Sequence, residues 1–398
     1  MKVKLGDVFE RHITGEWGNE CSENEPGAKV LRTTNFTSSG EIDFKNVVMR
    51  SINKSKVQSK RLHYGDIILE KSGGTEKTPV GRVVFCDESI ENDIYLCNNF
   101  TQTMRANQVV GYPRYVFYFM WYLHYSGKTD LLQNKTTGIR NLQLKSYLNE
   151  ELPLPSLDEQ RRIAAVLDKV SDLIAKRRAQ LDKLDELVKA RFVEMFGDPE
   201  RNPKHWPVLS MNQTCKVGSS KRIYKSEHTS NGIPFLRVSN LTDLINTGMS
   251  TPDLYIPEEL YNELKNQGQV PTAGDILLTS RGTLGQCYIV KENDEFYFQD
   301  GMISWLSNFS DCITPLYLSY LFAMPGFRRQ IESIQAGTTV SYLSISMINR
   351  LSVMLPTMEL QISFSSFVKH TDGMKLTIQQ SLDKLEMLKK TLMQGYFG

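Results

Sequence analysis

The chain has 398 residues, of which 40% are hydrophobic, and a formal net charge of +2. This length predicts two to three domains, and the composition is sufficient for ordinary hydrophobic cores. The longest apolar stretch, residues 115–125, is well short of the ~20 residues that a membrane span requires, and the N-terminus lacks an apolar signal region. We therefore expect a folded cytoplasmic protein without a membrane segment.

Short aliphatic runs bounded by glycine, asparagine and proline predict strands, and three of them occur twice. Residues 31–35 (Leu-Arg-Thr-Thr-Asn) are echoed by 236–240 (Leu-Arg-Val-Ser-Asn), and the Gly-Asp-Ile runs at 65–69 and 274–278 match in the same way. Val-Gly at 80–81 is echoed by Leu-Gly at 284–285. The chain is therefore predicted to consist of two similar mixed α and β modules.

Charge is unevenly distributed between the modules. Residues 44–65 contain six basic side chains and no acid, which suits a segment that faces phosphates. The corresponding part of the second module is acidic, and its basic cluster lies earlier, at residues 216–225. Ordinary solvated faces are the alternative interpretation of both clusters.

An apolar helix is predicted in each module, because proline at residues 113 and 315 suits a first helical turn. The aromatic residues of the segment 113–125 fit a base-stacking platform or, as we favour, core packing.

A long helix is predicted at the end of each module. The segments 154–197 and 355–398 share eleven residues at a constant offset of 201 without a gap, which indicates a rigid element of fixed length. Both carry a heptad seam, with Gly373 weakening the second copy by about 1 kcal/mol relative to alanine. The two seams are predicted to pair antiparallel within one chain. The predicted coiled-coil residues are Ile163, Leu167, Val170, Ile174, Leu181, Leu184, Val188, Phe364, Val368, Ile378, Leu382, Leu385 and Leu392.

Two polar loops also recur. One follows each Gly-Asp-Ile strand, at residues 70–77 and 279–283, and the other precedes each long helix, at 135–141 and 336–342. Small residues let backbone amides approach phosphates, and lysine and arginine supply charge or bidentate recognition of guanine. The alternative is that these loops are ordinary turns without a binding role, but their duplication and polarity favour DNA contact.

With the repeated Leu-Arg segment, these loops give the candidate DNA-binding residues Arg32, Thr33, Asn35, Lys71, Ser72, Gly73, Thr75, Lys77, Lys135, Thr137, Arg140, Asn141, Arg237, Ser239, Asn240, Ser280, Arg281, Thr283, Thr338, Thr339 and Tyr342.

No catalytic or metal-binding constellation is recognised, and no cofactor is predicted. The sequence has no phosphate-binding Gly-Lys-Ser/Thr loop, no His-Glu-x-x-His and no nucleophile elbow, and its six cysteines form no Cys-x-x-Cys pair. Asp253, Glu263 and Lys265 match a loose metal-dependent nuclease pattern, but its spacing is common by chance and the first module has no equivalent.

The run at 152–163 (Leu-Pro-Leu-Pro-Ser-Leu-Asp-Glu-Gln-Arg-Arg-Ile), followed by a long helix ending in Phe-Gly-Asp-Pro, resembles the central conserved region of type I restriction-modification specificity subunits. Residues 274–285 (Gly-Asp-Ile-Leu-Leu-Thr-Ser-Arg-Gly-Thr-Leu-Gly) resemble the core of their target recognition domains. The resemblance covers both halves of the chain in the expected order.

The resemblance implies an α+β fold in which two target recognition domains are separated by an intramolecular coiled coil of antiparallel helices, with approximate twofold symmetry. The predicted segments are recognition domains at 1–155 and 199–356 and long helices at 156–198 and 357–398. It implies a non-catalytic subunit that binds double-stranded DNA and two methyltransferase subunits and, through them, endonuclease subunits. The helices would fix the spacer of a bipartite, asymmetric target.

Three alternatives remain open from the sequence. A subunit of a methylation-only or related defence system would look the same, a stand-alone nuclease would use the Asp253 pattern, and an adaptor would not bind DNA.

Overall fold

The computed structural model describes residues 1–21, 27–76, 78–134, 138–335 and 341–398. The chain forms two compact units. Unit 1 contains Met1–Ala179 and Gln379–Gly398, and unit 2 contains Gln180–Ile378. Each unit therefore includes half of each of two long helices.

The elements of unit 1, in chain order, are β1 (Lys2–Lys4), β2 (Phe9–Thr14), β3 (Asn19–Glu20), β4 (Ala28–Leu31), β5 (Val48–Ser51), α1 (Lys54–Lys60), β6 (Ile67–Glu70), β7 (Ser72–Gly74), β8 (Val83–Phe85), β9 (Tyr95–Cys97), β10 (Thr101–Ala106), α2 (Pro113–Tyr125), α3 (Lys128–Leu131), β11 (Gln133–Asn134), β12 (Arg140–Leu142), α4 (Leu144–Leu148), β13 (Glu151–Pro153) and the first half of α5 (Leu157–Phe196).

Unit 2 continues with β14 (Val208–Ser210), α6 (Met211–Thr214), β15 (Lys216–Gly218), β16 (Ile233–Leu236), α7 (Val238–Thr247), β17 (Tyr255–Ile256), α8 (Glu258–Asn266), β18 (Ile276–Thr279), β19 (Cys287–Ile289), β20 (Tyr297–Phe298), β21 (Ile303–Ser307), α9 (Pro315–Ala323), α10 (Pro325–Ile334), α11 (Ile345–Asn349), β22 (Ser352–Met354) and α12 (Met358–Phe397), whose second half belongs to unit 1.

The two units repeat one sheet plan, which confirms the predicted duplication. The antiparallel sheet β2-β10-β6-β8 of unit 1 corresponds to β15-β21-β18-β19 of unit 2, and the pair β1-β13 corresponds to β14-β22. A further sheet contains one parallel pair in each unit, β4 with β9 and β16 with β20. Both units are thus mixed α and β folds, as predicted.

The repeated Gly-Asp-Ile run forms the same turn and strand twice. Gly65 and Gly274 both have positive φ angles, +86° and +92°, a conformation that glycine adopts without steric cost. The aspartate that follows accepts a backbone hydrogen bond from the residue three positions earlier, from His63 N in unit 1 and from Thr272 N in unit 2. The turn therefore fixes where the central strands β6 and β18 begin.

The predicted apolar helices are present as α2 and α9, and each begins with its proline. Five aromatic side chains of α2 are buried, which favours core packing over a base-stacking platform: Tyr115, Phe117, Tyr118, Phe119 and Tyr122.

The two long helices are antiparallel within each unit. In unit 1 the start of α5 and the end of α12 share a core that includes Ile163, Leu167 and Phe397, and Arg178 forms an ion pair with Glu386 at 2.7 Å. In unit 2 the end of α5 and the start of α12 share a core in the same way. Helix α12 continues through Gly373 without interruption.

Every predicted seam residue of these helices is buried or half-buried. The same holds for the polar residues at the remaining positions of the heptad seams, Arg177, Arg191, Thr371, Lys375 and Lys389. Thr371 is buried, and Lys375 forms an ion pair with Asp185.

A repeated set of hydrogen bonds at the start of each long helix ties the helix to the globule. Gln160 is buried, accepts a hydrogen bond from Tyr112 N at 2.8 Å and donates to Val110 O and Pro155 O. Gln361 makes the corresponding three bonds in unit 2. The repeated glutamine is therefore an anchor between helix and globule.

In the part of the chain that the structure describes, no helix has both the length and the apolar character needed to cross a membrane.

Candidate nucleic-acid interface

The two polar loops of unit 1 meet through strand pairing. Strand β7 lies antiparallel to β12, with Ser72 opposite Asn141, and the Ser72 hydroxyl donates to Asn141 Oδ1 at 2.5 Å. Leu142 N donates to Lys71 O at 2.8 Å. Two segments that are far apart in sequence therefore form one polar surface.

Unit 2 joins its loops in the same way. Leu343 N donates to Ser280 O at 3.0 Å, and Arg281 and Tyr342 form an isolated antiparallel bridge. Leu343 is the residue that the offset of 201 pairs with Leu142. The same backbone pairing thus recurs, and we name the two surfaces loop pair 1 (residues 71–75 and 138–142) and loop pair 2 (residues 280–283 and 341–343).

The side chains of the two loop pairs differ. Loop pair 1 presents a hydroxyl and an amide at Ser72 and Asn141. Loop pair 2 presents the exposed guanidinium of Arg281, which lies over the Tyr342 ring with 5.3 Å from Cζ to the ring centroid. Amide side chains suit adenine, and arginine suits guanine through two parallel hydrogen bonds. The two surfaces therefore carry different hydrogen-bonding groups on the same backbone frame.

Lys71 lies half-buried at the base of loop pair 1. Burial lowers the pKa of its ammonium group, and the nearby charge of Lys60 lowers it further, while Cys97 acts in the opposite direction. An anion close to Lys71 would stabilise its charged form.

A partly buried ion pair supports loop pair 1. Arg82 donates two hydrogen bonds to Glu70, at 2.8 Å each, and a third to Thr33 O at 3.3 Å. Hydrogen bonding to Glu70 raises the pKa of the Arg82 guanidinium. In unit 2 the place of Glu70 is taken by Thr279, whose hydroxyl donates to Thr283 O at 2.5 Å.

The repeated Leu-Arg segment forms a capped helical start in both units, a single short turn at Thr33–Asn35 in unit 1 and the beginning of α7 in unit 2. Asn35 accepts a hydrogen bond from Arg32 N at 2.9 Å, and Asn240 accepts one from Arg237 N at 3.0 Å. Both asparagines are buried, so their amides hold the chain and are not free at the surface. Ser239 is exposed.

The remaining candidate residues have mixed positions. Ser280 is buried and bonded to Ser304, whereas Gly73, Thr75 and Thr283 are exposed and Arg140 is half-buried on β12. Five candidates lie outside the described residues: Lys77, Lys135, Thr137, Thr338 and Thr339.

Much of the predicted basic segment of unit 1 is paired with acids. Glu16 lies between Lys56 and Lys60, at 3.3 and 2.9 Å. Arg50 is 3.8 Å from Glu20 and stacks on the Trp17 ring. These cations are therefore partly neutralised, a pairing that the order of charges in the sequence does not reveal. Two other acids of the first module, Glu23 and Glu25, lie outside the described residues.

The residues of the nuclease-like pattern have separate partners. Asp253 forms an ion pair with Arg237 at 2.5 Å, Glu263 accepts a hydrogen bond from Gln267, and Lys265 lies over the Tyr261 ring. Among the described residues, no group of three or more histidine, cysteine, aspartate or glutamate side chains is placed to hold a metal ion.

Sequence reasoning missed the turn that supports each loop pair. Phe100 O accepts hydrogen bonds from Lys71 N and Ser72 N, at 2.9 and 3.1 Å, and Met302 O accepts one from Ser280 N at 2.9 Å. Neither residue belongs to a sequence motif, so only the paired backbone identifies them.

Comparisons with known proteins agree with this architecture. The MjaVIII type I restriction enzyme specificity subunit of Methanocaldococcus jannaschii is 25% identical over 279 residues, which cover 66% of this chain and 64% of that protein. The MjaIX specificity subunit of the same organism is 26% identical over an alignment of 423 residues, covering 98% of this chain and 89% of that protein. The crystal structure of a type I S subunit from M. genitalium shares the fold, with a TM-score of 0.56, 14% identity and coverage of 100% and 96%.

The model of a protein family described as the type I restriction modification DNA specificity domain matches the chain twice, over residues 1–184 and 203–387. These two matches coincide with the sequence repeat and with the two repeated sheet plans. The chain therefore belongs to the family of type I restriction-modification DNA specificity domains.

Proposed function

We propose that this chain is the DNA specificity subunit of a type I restriction-modification complex and that each unit reads one half of a split DNA target. The observation that carries this proposal is the loop pair, which has the same backbone pairing in both units and different side chains. Sequence is read by hydrogen bonds to base edges, while backbone contacts only position the protein. A constant frame with variable side chains suits such reading.

The target is asymmetric in this proposal. Ser72 and Asn141 would face one half-site, and Arg281 would face the other. Because a neutral amide and a guanidinium prefer different bases, the two half-sites differ. The candidate residues of the repeated Leu-Arg turns would hold these surfaces in place or contact the sugar-phosphate backbone.

The long helices set the spacer between half-sites in this proposal. Each helix has 40 residues. At ~1.5 Å per residue, such a helix is about 60 Å long. A rigid element of fixed length fixes the distance at which two reading surfaces meet DNA, as in other two-headed DNA-binding proteins.

Exposed side chains on the outer faces of the long helices support the proposal that two protein partners bind there. Leu173 and Leu388 are exposed in unit 1, and Met374 and Leu187 are exposed at the positions related by the offset of 201 in unit 2. Apolar area at the surface marks an interface when it is contiguous, and the recurrence of these side chains at equivalent positions supports such a use of both faces. We assign these faces to two copies of a methyltransferase subunit, through which endonuclease subunits join.

The chain itself is a non-catalytic subunit in this proposal and acts in the cytoplasm. A methyltransferase subunit would extrude the target adenine and supply the chemistry. This division explains why the recognition surfaces need only hydrogen-bonding groups and charge.

The test is to express the chain together with its genomic neighbours and to map adenine methylation across the host genome, with and without the chain. A split, asymmetric motif that is methylated only when the chain is present is the expected result. A working methyltransferase whose methylation does not depend on this chain would overturn the proposal.

A further inference from the structure

An apolar side chain lies at the base of each loop pair. Phe100 is 48% exposed although its backbone carbonyl holds Lys71 and Ser72. Its ring therefore stands at the edge of a polar surface. Exposed hydrophobic area of this kind is unfavourable in water, and covering it lowers the free energy.

Unit 2 has the same arrangement with a different apolar residue. Met302 precedes the central strand β21 as Phe100 precedes β10, and its carbonyl accepts the hydrogen bond from Ser280 N. Met302 is half-buried. An apolar residue thus recurs at a position where the backbone alone would be sufficient to hold the loop.

Cationic side chains flank both turns. Lys60 donates a hydrogen bond to Gly15 O beside the turn of unit 1. Lys71 is itself part of loop pair 1. In unit 2, Arg222 forms an ion pair with Asp300 at 2.8 Å, and Lys221 next to it is exposed. Lys60 and Arg222 are partly neutralised by Glu16 and Asp300, so Lys71 and the exposed Lys221 are the side chains that would meet phosphates on either side of a base step.

We propose that Phe100 and Met302 insert between stacked base pairs, one in each half-site, and that this insertion is part of target recognition. The inference rests on the proposed function. Phenylalanine and methionine are among the side chains that proteins use as wedges between base steps. Phe100 opens its step more than Met302 does, because its ring is rigid and more exposed.

Insertion adds a second source of specificity. Pyrimidine-purine steps unstack more easily than others, so a wedge favours sequences with such a step at the insertion point. Each half-site is therefore expected to contain a flexible step next to the bases that the loop pair reads.

The experiment uses the full chain in complex with its methyltransferase subunits and duplexes that carry the mapped target. Adenines of each half-site, except the one that the methyltransferase subunit would extrude, are replaced one at a time by 2-aminopurine, whose fluorescence rises when its stacking is lost. The wild-type complex is expected to raise the signal at one step in each half-site. Phe100→Ala should return one of these signals to the level of the free duplex and weaken binding by about tenfold, within the range for loss of a base-aromatic stack.

Three further variants make the result specific. Met302→Ala should remove only the other signal, and Phe100→Leu, which keeps an apolar wedge, should retain part of the first. Tyr125→Ala is the matched control, because Tyr125 is an aromatic residue of similar exposure, 52%, at the end of α2 and outside the loop pairs. It should leave both signals unchanged.

The outcomes separate this inference from the proposed function. Sequence-specific binding with no wild-type signal, or a signal that survives Phe100→Ala, would overturn the wedge and leave the recognition function intact. A complex that does not distinguish the mapped target from a scrambled duplex would overturn both.

Discussion

Single residues show what local sequence patterns can predict and what they cannot. Repetition identified the polar loops, and Arg281 and Tyr342 were singled out as candidates within them. Their contact depends on the register of distant strands, which no local pattern encodes. Glu16 and its two lysine partners illustrate the same point, because residues that look like an unpaired basic run in sequence are neutralised by folding.

Replacement of Arg281 by alanine should relax one half-site of the proposed target and leave the other intact. The guanidinium is exposed and held over Tyr342, so it is oriented for bidentate hydrogen bonds, and such a pair contributes ~1–3 kcal/mol of discrimination. Methylation mapping with the variant would show degenerate bases in one half-site only.

The matched variants are Ser72→Ala and Arg161→Ala. Ser72→Ala should affect only the opposite half-site, because Ser72 lies in the loop pair of unit 1. Arg161, an exposed arginine of α5, should be neutral for target sequence. Equal relaxation of both half-sites by Arg281→Ala would contradict independent reading by the two units.

At the scale of elements, the long helices were the most predictable part of the fold. Every predicted seam position, including the polar ones, is buried or half-buried, because a period of alternating three and four residues describes one helix face. The short strands were predicted only as echoes of the repeat, and their sheet order follows from long-range pairing that the sequence does not display.

Lys389 is a polar seam residue of α12 with a measurable consequence. Its ammonium group lies 4.5 Å from the Trp121 ring centroid, and burial lowers its pKa to about 8, assisted by Arg114 and Arg178 and opposed by Glu41 and Asp168. At the equivalent position α5 has Val188. Below pH 8 the folded protein therefore carries a half-buried, partly desolvated charge that the unfolded chain exposes fully to water.

Lys389→Val should consequently raise the thermal midpoint at pH 7. The wild-type pKa is lower when folded than the ordinary 10.5, so the unfolded chain binds more protons between about pH 8 and 10.5. Wild-type stability rises with pH over this range, and the advantage of the variant should shrink. Thermal unfolding at pH 7 and pH 9.5 tests this expectation. Lys390→Val, at the exposed neighbouring position, should show no such trend, and a pH-independent gain in Lys389→Val would refute the charge argument.

The outer helix faces give a separate prediction about partners. Leu173→Asp with Leu388→Asp, both in unit 1, should reduce the number of bound methyltransferase subunits from two to one, because a charge cannot be buried there without cost. Leu187→Asp with Met374→Asp should do the same through unit 2. Native mass spectrometry of the purified complex measures the number directly.

Val109→Asp is the control for partner binding, since Val109 is exposed but lies outside the long helices. Retention of both partner copies by both double variants would exclude these faces as the docking surface.

At the scale of the whole molecule, the duplication and the antiparallel helices were predicted and confirmed. The predicted division into two recognition domains and two long helices remains a prediction. The two compact units divide the chain differently, because each unit combines one globule with half of each long helix. The reason is physical: a long amphipathic helix must bury its seam, and it does so against both its partner helix and the adjacent core.

The length of the helices should determine the spacer of the proposed target. Deletion of one heptad from both helices, at residues 177–183 and 378–384, removes about 10.5 Å and should shorten the accepted spacer by about three base pairs. Binding to duplexes with a graded series of spacers measures this change. An unchanged spacer would refute the role of the helices as a ruler.

Deletion from one helix alone is the matched control. It shifts one seam relative to the other, so it should lower the thermal midpoint and abolish binding at every spacer.

The membership of Phe397 in the core of unit 1 has a consequence for biosynthesis. Unit 2 is one continuous stretch of chain, whereas unit 1 needs its first 179 residues and also Gln379–Gly398. A nascent chain leaving the ribosome can therefore complete the second unit before the first, although the first is synthesised earlier. Until Phe397 has left the ribosome, the N-terminal globule exposes the apolar surface that this side chain later covers. The second unit can thus fold before the first, the reverse of the order of synthesis.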